Sequence, residues 1–400
     1  MRAIRFHYRP LRYVLTRALS GRLPAIGTGP LGFVRLDDVA RRPLPGDRWV
    51  RLEPRLTGIC GTDLGVITAH DSFTLEPYSA YPFTFGHEVV GTVTATGPAV
   101  TRWSEGDRVI LNPMLACEQK GLDPCPACRR GDVGVCRRAT DGTGSIAGFS
   151  PLTGGGWGDQ MVAHESMLHP QGDLPDEVAV LTDAYASAAK GVFMEPPVPD
   201  DVVLVLGAGS IGLLTVRTLR RTGWEGSIAV SARYGFQAEK ARGLGADTVL
   251  RSRDELYAWA SSLPDADTFD PSMAPMFVEG GPSLVYDTVG SAGTIRDALA
   301  LTREGGRIVV TGAAAVAKVD LTRLWHRQIR MTGVMVYGPV MHDGRSRDIF
   351  DAALDLIRGD DLGRFNLLTH TFQLEEYRDA IRAALGKNAH GAIKVGFRVR

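Results

Sequence analysis

The chain has 400 residues, 44% of them apolar and 22% charged, with 45 Lys plus Arg against 45 Asp plus Glu. This is the composition of a globular chain large enough for two domains, and its balanced charge gives no reason to expect a nucleic-acid or anionic-membrane partner. No apolar run reaches the roughly 18 residues needed to cross a bilayer, so a soluble, cytoplasmic protein is expected.

Residues 1–36 hold seven Arg and no acid, the composition of a transit peptide. Residues 2–7 nevertheless alternate in polarity and predict an opening strand. Residues 10–30, rich in Arg, Gly and Pro, predict a loop or short helix leading into strands around Gly32–Leu36 and Trp49–Leu56. The second strand runs into Gly58-Ile-Cys-Gly-Thr-Asp63, and Gly86-His-Glu88 follows. Cys60 and His87 are zinc-type ligands, a thiolate and an imidazole, each with a carboxylate close by in Asp63 and Glu88. A Cys and a His 27 residues apart do not by themselves make a site, because a buried free cysteine is the commoner fate.

Cys117, Cys125, Cys128 and Cys136 then fall within 20 residues, spaced Cys-x7-Cys-x2-Cys-x7-Cys. Four thiolates satisfy a closed tetrahedral zinc, the requirement of a structural site. Disulfides are the rival, and a reducing compartment argues against them. Cys60 is thereby left as the candidate working thiolate.

Val202 to Leu219 reads strand, turn, helix, with Gly207, Gly209 and Gly212 in the dinucleotide-binding spacing. The turn and the first helical residues, Ser210 and Ile211, would meet a pyrophosphate at the helix N-terminus. About 20 residues past the last glycine, where such folds place a carboxylate on the ribose, stands Ala232, flanked by Ser231 and Arg233. A guanidinium there can pair with a 2′-phosphate, so NADP(H) is expected over NAD(H). Beyond it, helices at 237–244, 255–262 and 293–303 alternate with strands at 245–250, 283–289 and 306–312, interrupted by a long Pro-containing surface loop, 264–281. Alternation of this kind implies a doubly wound parallel sheet. A helix at 346–358 and strands near Leu368 and Ile393 end the chain.

In combination and order, the Gly58–Asp63 and Gly86–Glu88 motifs, the four-cysteine lobe, Gly155–Gln160 and Gly207–Gly212 resemble the zinc-dependent medium-chain alcohol dehydrogenase superfamily over nearly the whole chain. The resemblance implies an α/β protein with a GroES-like, β-rich catalytic domain (1–184 and 337–400, discontinuous) and a Rossmann domain (185–336), with the active site in the cleft between them. It implies that Cys60, His87 and Asp183 hold a catalytic zinc, with Glu88 able to approach the metal. Thr62 would pass the proton, backbone around Thr311 would hold the nicotinamide carboxamide, and the four-cysteine lobe would hold a second zinc. The expected reaction is hydride transfer between a small-molecule alcohol, or an aldehyde or ketone in reverse, and NADP(H), in a homodimer or homotetramer. Two departures stand out. The first two lobe cysteines are eight apart where the family usually has three, which makes Cys117 the weakest ligand expectation. Gly65 occupies the place of a proton-relaying histidine, leaving cofactor ribose, water or His70 as the route. The alternatives are a zinc-free reductase of activated double bonds, which lacks the Cys and His pair, and a non-catalytic NADP-binding zinc protein.

Overall fold

Alternating burial in the N-terminal segments makes strands. The computed structural model describes residues 1–30, 32–342 and 344–399. Residues 1–170 contribute β1 (Arg2–Phe6), β2 (Val34–Asp38), β3 (Trp49–Gly58), β4 (Phe83–Thr84), β5 (Val89–Thr96), β6 (Arg108–Leu111), β7 (Met161–His164) and β8 (Leu168–Pro170). In β1, Ile4 and Phe6 turn inward, and the Phe6 and Phe83 rings stack at 5.0 Å across the β1–β4 pair. Residues 10–30 open with a helix, Pro10–Leu19, whose Pro at the first turn lacks an N–H that would have had no intrahelical partner there.

The middle of the chain contributes β9 (Val203–Leu206), β10 (Ile228–Ser231), β11 (Thr248–Leu250), β12 (Asp267–Phe269), β13 (Phe277–Glu279), β14 (Leu284–Asp287), β15 (Arg307–Val310) and β16 (Arg330–Gly333). Six of them form a parallel sheet in the order β11-β10-β9-β14-β15-β16. The order reverses direction beside β9, the switch point of a doubly wound fold. β9 and β14 are buried along their whole length, as strands covered on both faces must be. The expected 264–281 loop is corrected by an antiparallel hairpin, β12 on β13. Its exposed first strand hides the alternation, while Val278 on the second is fully buried and packs into the core.

After β17 (Pro339–His342) and β18 (Arg345–Asp348), the chain ends with β19 (Leu368–Phe372) and β20 (Lys394–Arg398). These last two complete a seven-stranded sheet, β19-β20-β3-β5-β6-β8, with β7 also on β3. By contact the chain divides into two compact units, Met1–Asp183 with Tyr337–Pro339 and the residues from Ile357 onward, and Ala184–Val336 with Val340–Leu356. The boundary drawn at 337 from sequence differs from this division over 340–356, which groups most of the helix Ile349–Arg358 with the second unit.

The segment that leads to Asp183 is anchored to the large sheet by charge. Asp176 accepts two hydrogen bonds from Arg55, at 2.9 Å each, one from Arg108 at 3.1 Å and one from Gln171 at 2.7 Å. Burial alone would raise the Asp176 carboxyl, but Arg55 and Gln171 reverse that and hold it at about 2. A depressed folded-state pKa stabilises the protein above the unfolded value, 3.8, and that stability is lost as pH falls through about 2. Asp176→Asn is therefore expected to cost about 2 kcal/mol at pH 6 and progressively less between pH 4 and 2, read as the pH dependence of the difference in urea-unfolding free energy between the two proteins.

Candidate active site and metal centres

Strand pairing brings the site together. β3 ends at Gly58, two residues before Cys60, and β5 begins at Val89, immediately after His87 and Glu88. Because β3 and β5 run antiparallel with Thr57 opposite Val89, the three side chains meet at one end of the sheet. β20 pairs with the other side of β3, Gly396 opposite Gly58, and delivers Lys394 to the same place. The approach leaves no room at Gly58: an added Cβ would lie 1.9 Å from Glu88 Oε2.

One ligand atom from each of Cys60, His87 and Glu88 lies within 4.8 Å of the other two. Cys60 precedes the helix Gly61–Ile67, and its backbone N–H donates to Asp63 Oδ2 at 2.9 Å. The other Asp63 oxygen is 3.5 Å from His87 Nδ1, and both atoms are buried without a hydrogen-bond partner among the described residues. Burial would lower the His87 pKa, yet Asp63 and Cys60 raise it well above its ordinary value. The surroundings thus put negative potential at the imidazole, the potential that holds a divalent cation. Cys60 Sγ lies 3.7 Å from Thr62 Oγ1.

Asp183 is buried at 6% exposure but is outside the Cys60, His87 and Glu88 triplet. It accepts a hydrogen bond from Tyr337 Oη at 3.3 Å, and burial, opposed by His87, raises its carboxyl to about 6. Glu88 is ion-paired with buried Lys394. Of the two carboxylates, Glu88 already has a fixed cation and Asp183 has none in direct contact among the described residues. Lys394 and Tyr337 were missed from sequence, although a lysine inside the apolar run Ala392–Phe397 was the available signal. His70, the suggested proton route, is exposed and bonded through Nδ1 to Thr68 O and Ser20 Oγ.

All four lobe cysteines, Cys117 included, have their sulfurs within 4.8 Å of one another. Cys117 Sγ to Cys136 Sγ is 3.6 Å and Cys125 Sγ to Cys136 Sγ is 3.9 Å. Sulfurs at the corners of a tetrahedron with metal bonds of about 2.3 Å stand about 3.8 Å apart, whereas a disulfide needs about 2.05 Å. These thiols are unbridged. Backbone amides of Cys128 and Arg137 pull the Cys125 thiol down to about 6, toward the thiolate that ligates.

In the second unit, Gly207 has φ +98°, the left-handed region, and Gly212 comes so close to the turn that a Cβ would stand 1.9 Å from Gly207 O. Gly209 precedes the helix Ser210–Arg221, which contains Ser210 and Ile211. This is a backbone cradle with no side chain in the way of an anion. Ser231 ends β10, and exposed Arg233 lies with its guanidinium 5.7 Å from the Tyr234 ring centre. Thr311 follows β15 and is fixed by its N–H to Asp287 O, 2.9 Å.

Residues 46–176 match the alcohol dehydrogenase GroES-like domain, and residues 210–358 match the zinc-binding dehydrogenase domain. The Mycobacterium tuberculosis protein named "Probable alcohol dehydrogenase adh" is 33% identical over 289 residues, covering 69% of this chain and 72% of its own. The chain belongs to the zinc-dependent medium-chain alcohol dehydrogenase superfamily. Among solved structures, an alcohol dehydrogenase from Escherichia coli CFT073 complexed with NADH shares the fold at TM-score 0.72 and 22% identity, over 100% of this chain and 99% of that one. A Sinorhizobium meliloti 1021 structure bound to NADP does so at TM-score 0.69 and 22% identity, over 91% and 95%. This member of the superfamily is thus an oxidoreductase of the alcohol dehydrogenase type with the GroES-like and Rossmann folds expected. No helix among the described residues is long and apolar enough to cross a membrane.

Proposed function

We propose that the protein transfers hydride between a small-molecule alcohol and NADP(H), using one zinc at Cys60, His87 and Asp183 and a second, structural zinc at the four-cysteine lobe. The observation that supports this reading is the convergence of Cys60, His87 and Glu88, with one ligand atom from each within 4.8 Å of the others, the sulfur, imidazole and carboxylate types that zinc takes, and Asp183 is assigned beside them from the family resemblance. Zinc bound there would supply Lewis acidity to the alcohol oxygen, and the nicotinamide would take or give the hydride. The chain's own groups do the rest. Asp63 puts a carboxylate oxygen 3.5 Å from the His87 ring, Tyr337 donates to Asp183, Lys394 neutralises Glu88 so that two carboxylates can share the site, and Thr62, beside Cys60, would relay the alcohol proton, taking it on Oγ1 while its own hydroxyl proton passes on to the cofactor ribose or water. Burial of His87, Glu88 and Asp183 keeps bulk water from competing with the substrate oxygen.

The preference for NADP(H) rests on Ser231 and Arg233 standing where NAD-specific folds carry an acid. Solved structures of this fold carry NADH in one case and NADP in another, so the fold leaves the choice open and the reading rests on Ser231 and Arg233. Arg233→Ala is expected to lower kcat/KM with NADP by about tenfold or more, the worth of a charge-assisted hydrogen bond to phosphate, while leaving kcat/KM with NAD nearly unchanged. Initial rates with both cofactors and a panel of alcohols and polyols test it, and a wild-type preference for NAD would remove the assignment of Arg233. Action in the cytoplasm as a homodimer or homotetramer completes the proposal, by resemblance to the family.

A further inference from the structure

Three neighbouring strands of the parallel sheet, β9, β14 and β15, end side by side, and a buried acid stands in the middle. Asp287 closes β14, paired with Leu206 at the end of β9 and with Val310 at the end of β15. Its side chain is fully buried. Oδ1 accepts the N–H groups of Val289 and Gly290, both at 3.0 Å, and Oδ2 accepts the Thr294 hydroxyl at 3.0 Å. The Asp287 carbonyl oxygen accepts the N–H of Thr311 at 2.9 Å and that of Gly312 at 3.1 Å. Thr294 is fixed in its turn by the first turn of the helix Ala292–Leu301, where its hydroxyl and that of Ser291 accept each other's backbone N–H at 3.0 and 3.1 Å.

The turn that Asp287 holds touches the glycine turn on one side and the strand end at Thr311 on the other. Thr288 donates its N–H to Leu206 O at 3.1 Å and its hydroxyl to the same oxygen at 2.9 Å, and a Cβ added at Gly212 would lie 2.8 Å from that hydroxyl. A Cβ at Gly207 would lie 2.4 Å from Val289 Cγ2. Gly290 has φ +71°, and a Cβ at Gly312 would stand 2.3 Å from the Val289 carbonyl carbon and 2.5 Å from Gly290 N. Residues 288–290 thus fit between the two segments with no space to spare. Burial pushes the Asp287 carboxyl up, and the pull in the other direction comes from Gly290, Val289 and Thr294. Its stabilisation comes from these bonds, so the same bonds that satisfy the acid fix the turn. Given the proposed cofactor site at Gly207–Gly212 and Thr311, we infer that Asp287 is its positioning residue: the carboxylate fixes Thr288–Gly290, which braces both halves of the site, and so sets the affinity for the nicotinamide cofactor from a place with no exposed surface of its own.

The test is direct titration of the zinc-loaded full chain with NADPH and with NADH, followed by the fluorescence of the reduced nicotinamide and without alcohol. Asp287→Ala removes all three side-chain contacts and is expected to raise the dissociation constant of the tighter-binding cofactor about tenfold or more, with zinc content unchanged. Gly290→Ala leaves the carboxylate whole but strains the turn at its positive φ, and should weaken binding in the same direction. Asp287→Asn keeps an oxygen for Val289 and Gly290 and can turn its amide toward Thr294 Oγ1, whose own proton then goes to Ser291 O, 3.1 Å away; its affinity should stay close to wild type. Ser283→Ala, at the opposite end of β14, removes a buried hydroxyl bonded to Asp201 and to the Val202 N–H. It should lower stability in urea and leave cofactor affinity unchanged, which separates lost positioning from lost folding. Wild-type affinity in Asp287→Ala or Gly290→Ala, an Asp287→Asn as weak as Asp287→Ala, or an equal loss in Ser283→Ala would overturn the inference while leaving the cofactor site standing. A wild-type protein that binds neither cofactor would instead remove the proposed cofactor site, and the role of Asp287 with it.

Discussion

Cys60→Ser is expected to lower kcat by about a thousandfold or more and to reduce bound zinc from about two per chain to about one. The expectation follows from the site's composition. A serine hydroxyl is not ionised at neutral pH and is a poor zinc ligand, so the site loses its one soft anionic donor and keeps an imidazole and carboxylates. The lost Lewis acidity is worth several kcal/mol in the transition state, and each 1.36 kcal/mol is about tenfold in rate. Metal analysis separates chemistry from folding, because Cys128→Ser should also remove one zinc, but at the lobe. The second variant should lose thermal stability first and activity only in consequence. Full activity in Cys60→Ser, or two zinc ions retained, would dismantle the active-site assignment.

What could be read without a structure was what lies close in sequence. The turn Gly207–Gly212, the four cysteines and the Gly58–Asp63 motif each lie within a short stretch, and the structure gives Gly207 a positive φ, gathers the four sulfurs within 4.8 Å and starts a helix after Cys60. The doubly wound sheet was equally legible, since buried strands separated by amphipathic helices leave few ways to cover both faces. The partners of the site were not. Lys394 reaches Glu88 only because β20 pairs with β3 in one register, and Tyr337 reaches Asp183 from 154 positions away. Strand order is decided by the whole sheet, and no local period encodes it. The β12–β13 hairpin escaped for a related reason: its first strand is exposed on both faces and shows no alternation.

Lys394 carries the second large effect. Its side chain and that of Glu88 are 4% and 2% exposed and ion-paired, so removing one member leaves the other charged and desolvated. Breaking a buried pair from one side costs about 3–5 kcal/mol, whereas replacing both members by apolar groups of similar volume is often near neutral. Lys394→Met should therefore destabilise the zinc-loaded protein by about 3–5 kcal/mol in urea unfolding, while Lys394→Met with Glu88→Leu recovers most of the loss. Gly58 sharpens the contrast, because its missing side chain lets Glu88 and Lys394 pack against the end of β3; Gly58→Ala puts a methyl group 1.9 Å from Glu88 Oε2 and 2.9 Å from Lys394 Cε and should disturb the pair without touching either charge. If Lys394→Met costs less than about 1 kcal/mol, Glu88 is compensated by something other than Lys394, and the metal itself becomes its counter-ion. That outcome would move Glu88 from a neutralised neighbour to a zinc ligand in its own right, in the place here given to Asp183.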